Sequence, residues 1–206
     1  MKNIGIRVYA TEATNGVLGV VSITLAGQLA VTGIKIREGQ YGKYLCMPSR
    51  VIEEGPGNHR EYADLFYPVN KDVRKELTEL VLAVYEEATA SAEKVATKDV
   101  PASALPLSIG ITPKEIGNEK ADVVLKIGGE YYLEGIAVRY KPDEDRYFVT
   151  MPSYKTKDGD FKNYAYPVTR EYREELNGSI LEAFERTVQE SIQAGQNTQN
   201  APEASL

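Results

Sequence analysis

Met47-Pro48-Ser49-Arg50, closed downstream by Tyr67-Pro68-Val69-Asn70, occurs a second time as Met151-Pro152-Ser153-Tyr154, closed by Tyr166-Pro167-Val168-Thr169. In each copy one Pro-marked loop leaves a strand-like run and a second Pro marks the entry to a helical pattern. Proline fixes φ and has no N–H to donate, so it belongs at such boundaries rather than inside an element. The helical pattern then repeats an Arg three residues ahead of a Leu, Arg74 before Leu77 and Arg173 before Leu176. So many spaced features echoed in order mark the chain as two copies of one small domain.

Upstream of each cassette the apolar period is two, the period of a strand. Ile4, Ile6 and Val8 alternate with Gly5 and Arg7, residues 11–16 are polar and read as a loop, residues 17–25 are β-branched and apolar, and Ala26-Gly27-Gln28 marks a tight turn. Leu29 and Val31 share one parity whereas Ile34 and Ile36 share the other, and the phase breaks at Gly33. The second copy breaks in the same place: Tyr131 and Leu133, then Gly135, then Ile136, Val138 and Tyr140. A glycine at a period break predicts a β-bulge, because it accommodates the extra unpaired residue. Turns at 38–42 and 141–145 lead to further strands at 43–47 and 146–151. Copy one carries a five-residue insertion, with Gly55-Pro56-Gly57, in the loop between its prolines.

Downstream, Asn70 and Thr169 are suited to cap helices, since each side chain can accept from an orphan helical N–H. Val73, Leu77, Leu80, Val81 and Val84, and then Tyr172, Leu176, Ile180, Phe184 and Val188, recur at helical spacing and predict one amphipathic helix per copy. The expected class is therefore α+β: two tandem domains, each a small antiparallel β-sheet followed by a C-terminal α-helix. Residues 1–94 form the first repeat and 107–194 the second; the stretch 88–106 is rich in Ala, Ser and Lys, and its later part, 95–106, reads as a linker, while 195–206 reads as a disordered tail rich in Gln, Asn, Ala and Pro. A domain of ~80 residues buries only ~60% of its unfolded surface and is marginal alone. The two copies are expected to pair as an intramolecular pseudo-dimer.

Composition bounds the function. The chain has 206 residues, 42% hydrophobic and 26% charged, as a globular protein does. No apolar run approaches the ~20 residues of a membrane span. Met1-Lys2-Asn3 leads straight into a strand-like segment and no secretory leader is expected; with a single cysteine, Cys46, this predicts a cytoplasmic protein that does not associate with membranes. The net charge of −6 argues against a uniformly basic nucleic-acid binder but leaves room for a local basic patch. Residues 1–94 hold 11 basic and 12 acidic side chains and residues 103–192 hold 12 and 16, so the acid excess lies mostly in the second copy.

The doubled cassette resembles the SpoVG family (stage V sporulation protein G, or septation protein). Members have a strand ending in Met-Pro-Ser, a basic pair, a Pro-Asp-Gly-type turn, an aromatic-basic-acidic segment, an aromatic- or His-Pro step and a C-terminal helix. Copy two follows this as Met151-Pro152-Ser153-Tyr154-Lys155, Asp158-Gly159-Asp160-Phe161-Lys162-Asn163 and Ala165-Tyr166-Pro167; copy one keeps Met47-Pro48-Ser49-Arg50 and Tyr67-Pro68 around its insertion. The resemblance covers roughly 4–90 and 107–190. It implies small α+β proteins that form homodimers, bind DNA and in some cases RNA, and regulate sporulation, septation and other gene expression. A tandem chain would then imitate the dimer. Of the basic pair, copy one keeps Arg50 and copy two Lys155; Lys162 stands after the aromatic, where copy one has Ala63, with Arg60 three residues earlier.

Arg50, Lys155 and Lys162, with Lys157 beside them, are candidate phosphate contacts; the competing reading is a solvated loop neutralised by Asp158 and Asp160. Arg74 and Arg173, with Lys75 and Arg170, lie in first helical turns, where cations oppose the helix dipole. They predict either a phosphate site at the helix start or pairing with nearby acids, Arg74 with Glu79 and Arg170 with Glu174. The abundant tyrosines, Tyr41, Tyr44, Tyr131, Tyr132, Tyr140, Tyr147, Tyr154 and Tyr164 among them, could stack bases, though strand tyrosines more often cover half-buried sheet. His59 has no ligand-like neighbours, Cys46 reads as a buried small hydrophobe, and no phosphate-binding glycine loop, nucleophile elbow or metal spacing occurs. Neither an enzyme, a cofactor nor a metal is expected. The expected partner is DNA, or alternatively RNA, and further homo-oligomers are open. The alternative is an acidic protein-interaction scaffold that kept the fold and lost nucleic-acid binding.

Overall fold

The computed structural model describes residues 3–54 and 60–199, the side chains of residues 14, 54 and 195–199 excepted. The inserted Gly55-Pro56-Gly57 and His59 lie outside the described residues. The first repeat contains β1 (Ile4–Thr14), β2 (Val17–Leu25), β3 (Leu29–Gly39) and β4 (Gly42–Cys46), an antiparallel meander. It continues with β5 (Ser49–Glu54) and β6 (Arg60–Asp64), then β7 (Phe66–Pro68), α1 (Lys71–Ala90) and β8 (Val95–Lys98). The second contains β9 (Leu107–Ile116), β10 (Glu119–Ile127), β11 (Tyr131–Lys141), a short 3-10 turn at Pro142–Glu144 and β12 (Arg146–Thr150). There follow β13 (Ser153–Lys155), β14 (Phe161–Asn163), β15 (Ala165–Pro167) and α2 (Arg170–Gln199). The α+β class with two antiparallel-sheet repeats, each followed by a helix, is as the periodicity predicts.

Both bulges form. Val21 faces Ile34 and Ile23 faces Val31, so β3 spends one more residue than β2 between these pairs; Val123–Ile136 and Leu125–Leu133 repeat the offset in β10 and β11. The consequence is energetic: the extra residue lets both parities face one side, and Leu29, Val31, Ile34 and Ile36 are all fully buried. Each bulge also marks where the strand changes partner. Beyond Gly33, β3 pairs with β4 of its own repeat; before it, Leu29, Ala30 and Val31 pair with Pro167, Tyr166 and Ala165 of the other. In the second sheet Tyr131, Tyr132 and Leu133 pair with Pro68, Tyr67 and Phe66. The repeats thus exchange β7 and β15, which is the physical form of the pseudo-dimer. Gly33 (φ 81°) and Gly135 (φ 79°) are needed twice over, for the left-handed backbone and for space. A Cβ at Gly33 would lie 3.1 Å from the Tyr164 ring, and one at Gly135 would lie 2.7 Å from Leu65 of the crossing segment.

The helices cover the inner faces of the sheets. α1 packs on β1, β8, β7 and β4, and α2 on β9, β12 and β15, so each helix also touches the strand that crosses over or the sheet edge beside it. The buried side chains of both repeats join in one hydrophobic core. Asn70 Oδ1 accepts from Val73 N–H at 2.9 Å and Thr169 Oγ1 from Tyr172 N–H at 3.2 Å, the two expected caps. Asn70→Ala is expected to cost about 1 kcal/mol of stability, read by urea denaturation, with Asn70→Gly costing only a few tenths. An equal loss for both would remove the cap as the cause.

Three expectations differ from the structure. The loop expected over 11–16 is a two-residue turn: β1 runs to Thr14, and Asn15 (φ 53°) and Gly16 (φ 72°) supply the positive φ values that a tight hairpin requires. The linker is not free chain. Val95–Lys98 forms a strand against Ile6–Tyr9 and covers the edge of β1, and Asn3 Nδ2 and Ser103 N–H tie the following residues down through Pro101 O and Ala26 O. The tail is helical as far as Gln199, and residues 200–206 lie outside the described residues.

Candidate nucleic-acid interface

Strand alternation decides which side chains remain once the core is built. Ile34 and Ile36 face the helices, so Lys35 and Arg37 stand on the opposite face of β3. Leu45 and Met47 are buried, so Tyr44 and Cys46 stand on that same outer face of the sheet. Cys46 is half-buried against a cleft rather than in the core, a correction that follows from the same alternation. Beside the outer faces lie two arms, the β5–β6 and β13–β14 hairpins, which are the segments between the paired prolines. Backbone bonds root both: Leu65 N–H donates to Pro48 O and Tyr164 N–H to Pro152 O, each at 2.7 Å.

The arms and sheets enclose two clefts. The first, of about 710 Å³, has Lys35, Arg37 and Tyr44 on its floor and Tyr62, Tyr154 and Tyr164 on its walls. The second, of about 700 Å³, lies over the other sheet between Arg50, Arg139, Glu119 and Asp122. Ser49, Tyr62, Tyr154 and Tyr164 line both, so the clefts meet in one trough that crosses the pseudo-twofold relation between the repeats. Tyr154 and Tyr164 are tilted against each other with ring centroids 4.7 Å apart. Tyr164 rests in the space left by Gly33, and burial raises its pKa. Aromatic surface stays available nearby, with Tyr62 60% exposed and Phe161 72%.

The charges of the two clefts differ. Among the described residues the side chains of Lys35 and Arg37 have no hydrogen-bond or ion-pair partner, and no carboxylate lines the first cleft. Over the second sheet, Arg139 Nη2 lies 3.0 Å from Glu119 Oε2, and Lys114 Nζ lies 2.8 Å from Asp122 Oδ1 and also bonds Glu119. Those bonds, to Asp122 first and Glu119 second, raise the Lys114 pKa and fix it as a cation. Arg50, on the arm above, has no such partner among the described residues.

Of the sequence-predicted residues, Arg50 lines the trough, and Lys155 and Lys162 lie exposed on the second arm, Lys162 directly opposite Tyr154 in the hairpin. Arg74 and Arg173 are not brought to the trough; both stand in the helical layer. Arg74 pairs at 3.7 Å with Asp64 rather than with Glu79, which Lys75 takes at 3.8 Å, while Arg170 pairs with Glu174 at 2.8 Å as the spacing predicts. Exposed pairs of this kind contribute about 0–1 kcal/mol each. Sequence reasoning missed Lys35, Arg37, Arg139, Tyr62 and Phe161. The signal for Lys35 and Arg37 was present, since they interleave with Ile34 and Ile36.

The acid excess is also segregated. α1 and α2 together hold eleven Asp/Glu and six Lys/Arg, which accounts for five of the six net negative charges. The negative surface is therefore mainly that of the helices, on the side of the sheets away from the clefts. Among the described residues no group of side chains could hold a metal, and no helix is long and apolar enough to cross a membrane.

The SpoVG family profile matches residues 1–87 and again 108–186. Relatives provisionally named septation protein SpoVG align with one copy each. That of Caldanaerobacter subterraneus subsp. tengcongensis is 36% identical over 88 residues, 43% of this chain and 91% of the relative. That of Archaeoglobus fulgidus is 29% identical over 82 residues, 40% and 91%. That of Clostridium beijerinckii is 31% identical over 88 residues, 43% and 91%.

Proposed function

Since the chain belongs to the SpoVG family and carries its domain twice, we propose that it is a cytoplasmic nucleic-acid-binding regulator, acting on septation or a related programme of gene expression. The observation that carries this reading is the trough: tyrosine rings at its centre, with Lys35 and Arg37 toward one end and Arg50 toward the other, all without ion-pair partners among the described residues. Cations neutralise phosphates and aromatic faces accept bases, which is what a nucleic-acid groove has to supply. The relatives' name points to septation. The net acid excess, which motivates the scaffold alternative, lies mainly on α1 and α2 rather than in the first cleft.

The test is fluorescence anisotropy with random DNA and RNA pools over a salt series. An interface with about four phosphate contacts loses roughly a hundredfold in affinity between 50 and 200 mM salt. The double variant Arg50→Ala, Lys155→Ala is expected to bind about tenfold more weakly with a shallower salt slope. Absence of binding at low salt leaves the scaffold reading in its place.

A further inference from the structure

We propose that the chain takes a single strand of nucleic acid, one per molecule, anchored in the cleft of the first repeat, and that the equivalent cleft of the second repeat is neutralised by its own carboxylates. This rests on the nucleic-acid-binding reading above and goes beyond it in stoichiometry, polarity and class of ligand.

The repeats can be superposed by register. Val21 faces Ile34 as Val123 faces Ile136, and Val17 faces Arg37 as Glu119 faces Arg139. Val17 and Val20 of the first sheet thus correspond to Glu119 and Asp122 of the second, and Lys35 corresponds to Ala137. At the same register positions the first sheet sets two apolar residues across from Arg37 and Lys35, cations without an ion-pair partner among the described residues; the second has two carboxylates that occupy Lys114 and Arg139. A phosphate entering the second cleft must displace an intramolecular carboxylate and meets a second one. A phosphate entering the first displaces only water. A dimer of identical chains would present two equal clefts, whereas the tandem chain presents unequal ones.

The rings select the strand. Tyr44 and Tyr62 are 45% and 60% exposed in the first cleft, with Tyr154 beside them. Their faces are useful only to bases that are unstacked, and a duplex keeps its base faces inside. A floor of sheet between two arms also admits a single backbone more readily than a paired helix.

Anisotropy titrations of the full chain with labelled oligo-deoxythymidine and oligo-uridine of about 12 nucleotides, and with a mixed-sequence duplex of equal length, test this. Both single strands are expected to bind at least tenfold more tightly than the duplex and to saturate at one per chain; the tighter of the two distinguishes DNA from RNA as the source. Lys35→Ala with Arg37→Ala is expected to lose at least tenfold and to lower the log–log salt slope by about 1.4, the value for two single-strand phosphates. Arg139→Ala stays within about threefold, because its charge is already taken, and Glu119→Gln with Asp122→Asn raises affinity by releasing Lys114 and Arg139. Tighter duplex binding, two strands per chain, or a loss from Arg139→Ala equal to that from Lys35→Ala with Arg37→Ala overturns the inference while sparing the nucleic-acid reading. No binding of any probe at low salt sinks both.

Discussion

Phe66→Ala is expected to destabilise the whole chain by about 4 kcal/mol, the cost of a large cavity in a close-packed core. Phe66 is fully buried and stacks on Tyr131 with centroids 5.1 Å apart and planes 17° from parallel. That contact joins β7 of one repeat to β11 of the other, inside one continuous core. Against a typical total of 5–15 kcal/mol, the loss is a large fraction of stability. Because the strand belongs to one repeat in sequence and to the other in space, neither can unfold without exposing surface of its partner. Urea denaturation followed by circular dichroism and by tyrosine fluorescence, the chain having no tryptophan, is therefore expected to show one coincident transition before and after the substitution. Two separated transitions, or a loss below about 1 kcal/mol, would contradict the exchanged-strand account. The register-equivalent residue is Ala165, which faces Val31 as Phe66 faces Leu133. The second crossing thus has no large side chain to lose, and the two crossings differ in strength.

What could be read in the sequence was whatever depends on neighbours along the chain. The bulge glycines, the caps at Asn70 and Thr169 and the two helical faces follow from local period and side-chain chemistry. The tight turn at Asn15-Gly16 was equally legible, since Asn-Gly is a strong hairpin signal; the polar residues beside it hid it, because an edge region tolerates them in a strand. The strand at Val95–Lys98 was not legible. Its four residues, Val95-Ala96-Thr97-Lys98, are too few to show a period, and it pairs because β1 offers an unfilled edge. The crossings at Phe66–Pro68 and Ala165–Pro167 are three residues each, too short to show any period. The same limit applies to the site. Lys35 and Arg37 could be placed on the outer face by alternation, but that Glu119 and Asp122 silence the other cleft depends on cross-strand register.

A fragment ending at residue 106 is expected to be a homodimer. Alone, the first repeat leaves Leu29–Val31 without the strand that pairs their outer edge, leaves Phe66 without a sheet to enter, and leaves the space over Gly33 unfilled. Each deficit is met by a second copy. The register that seats Phe66, Tyr67 and Pro68 on Leu133, Tyr132 and Tyr131 would seat them on Val31, Ala30 and Leu29 of another fragment. The symmetric exchange restores every backbone bond, and exchanging an identical element is a low-cost route to a dimer. It does not restore every contact: Leu29 stands where Tyr131 stood, so the ring stack on Phe66 is lost, at about 0.5–1.5 kcal/mol per crossing beyond area. Linkage within one chain also supplies an effective concentration in the millimolar range that the fragment lacks. The fragment should therefore show twice its mass by light scattering at high concentration, dissociate and unfold on dilution, and have a Tm that rises with concentration, as obligate dimers do. A folded monomer with a concentration-independent Tm would mean that the crossing strands are dispensable. Carrying both copies in one chain removes the dependence on a second chain, because β7 and β15 each find their partner sheet within it.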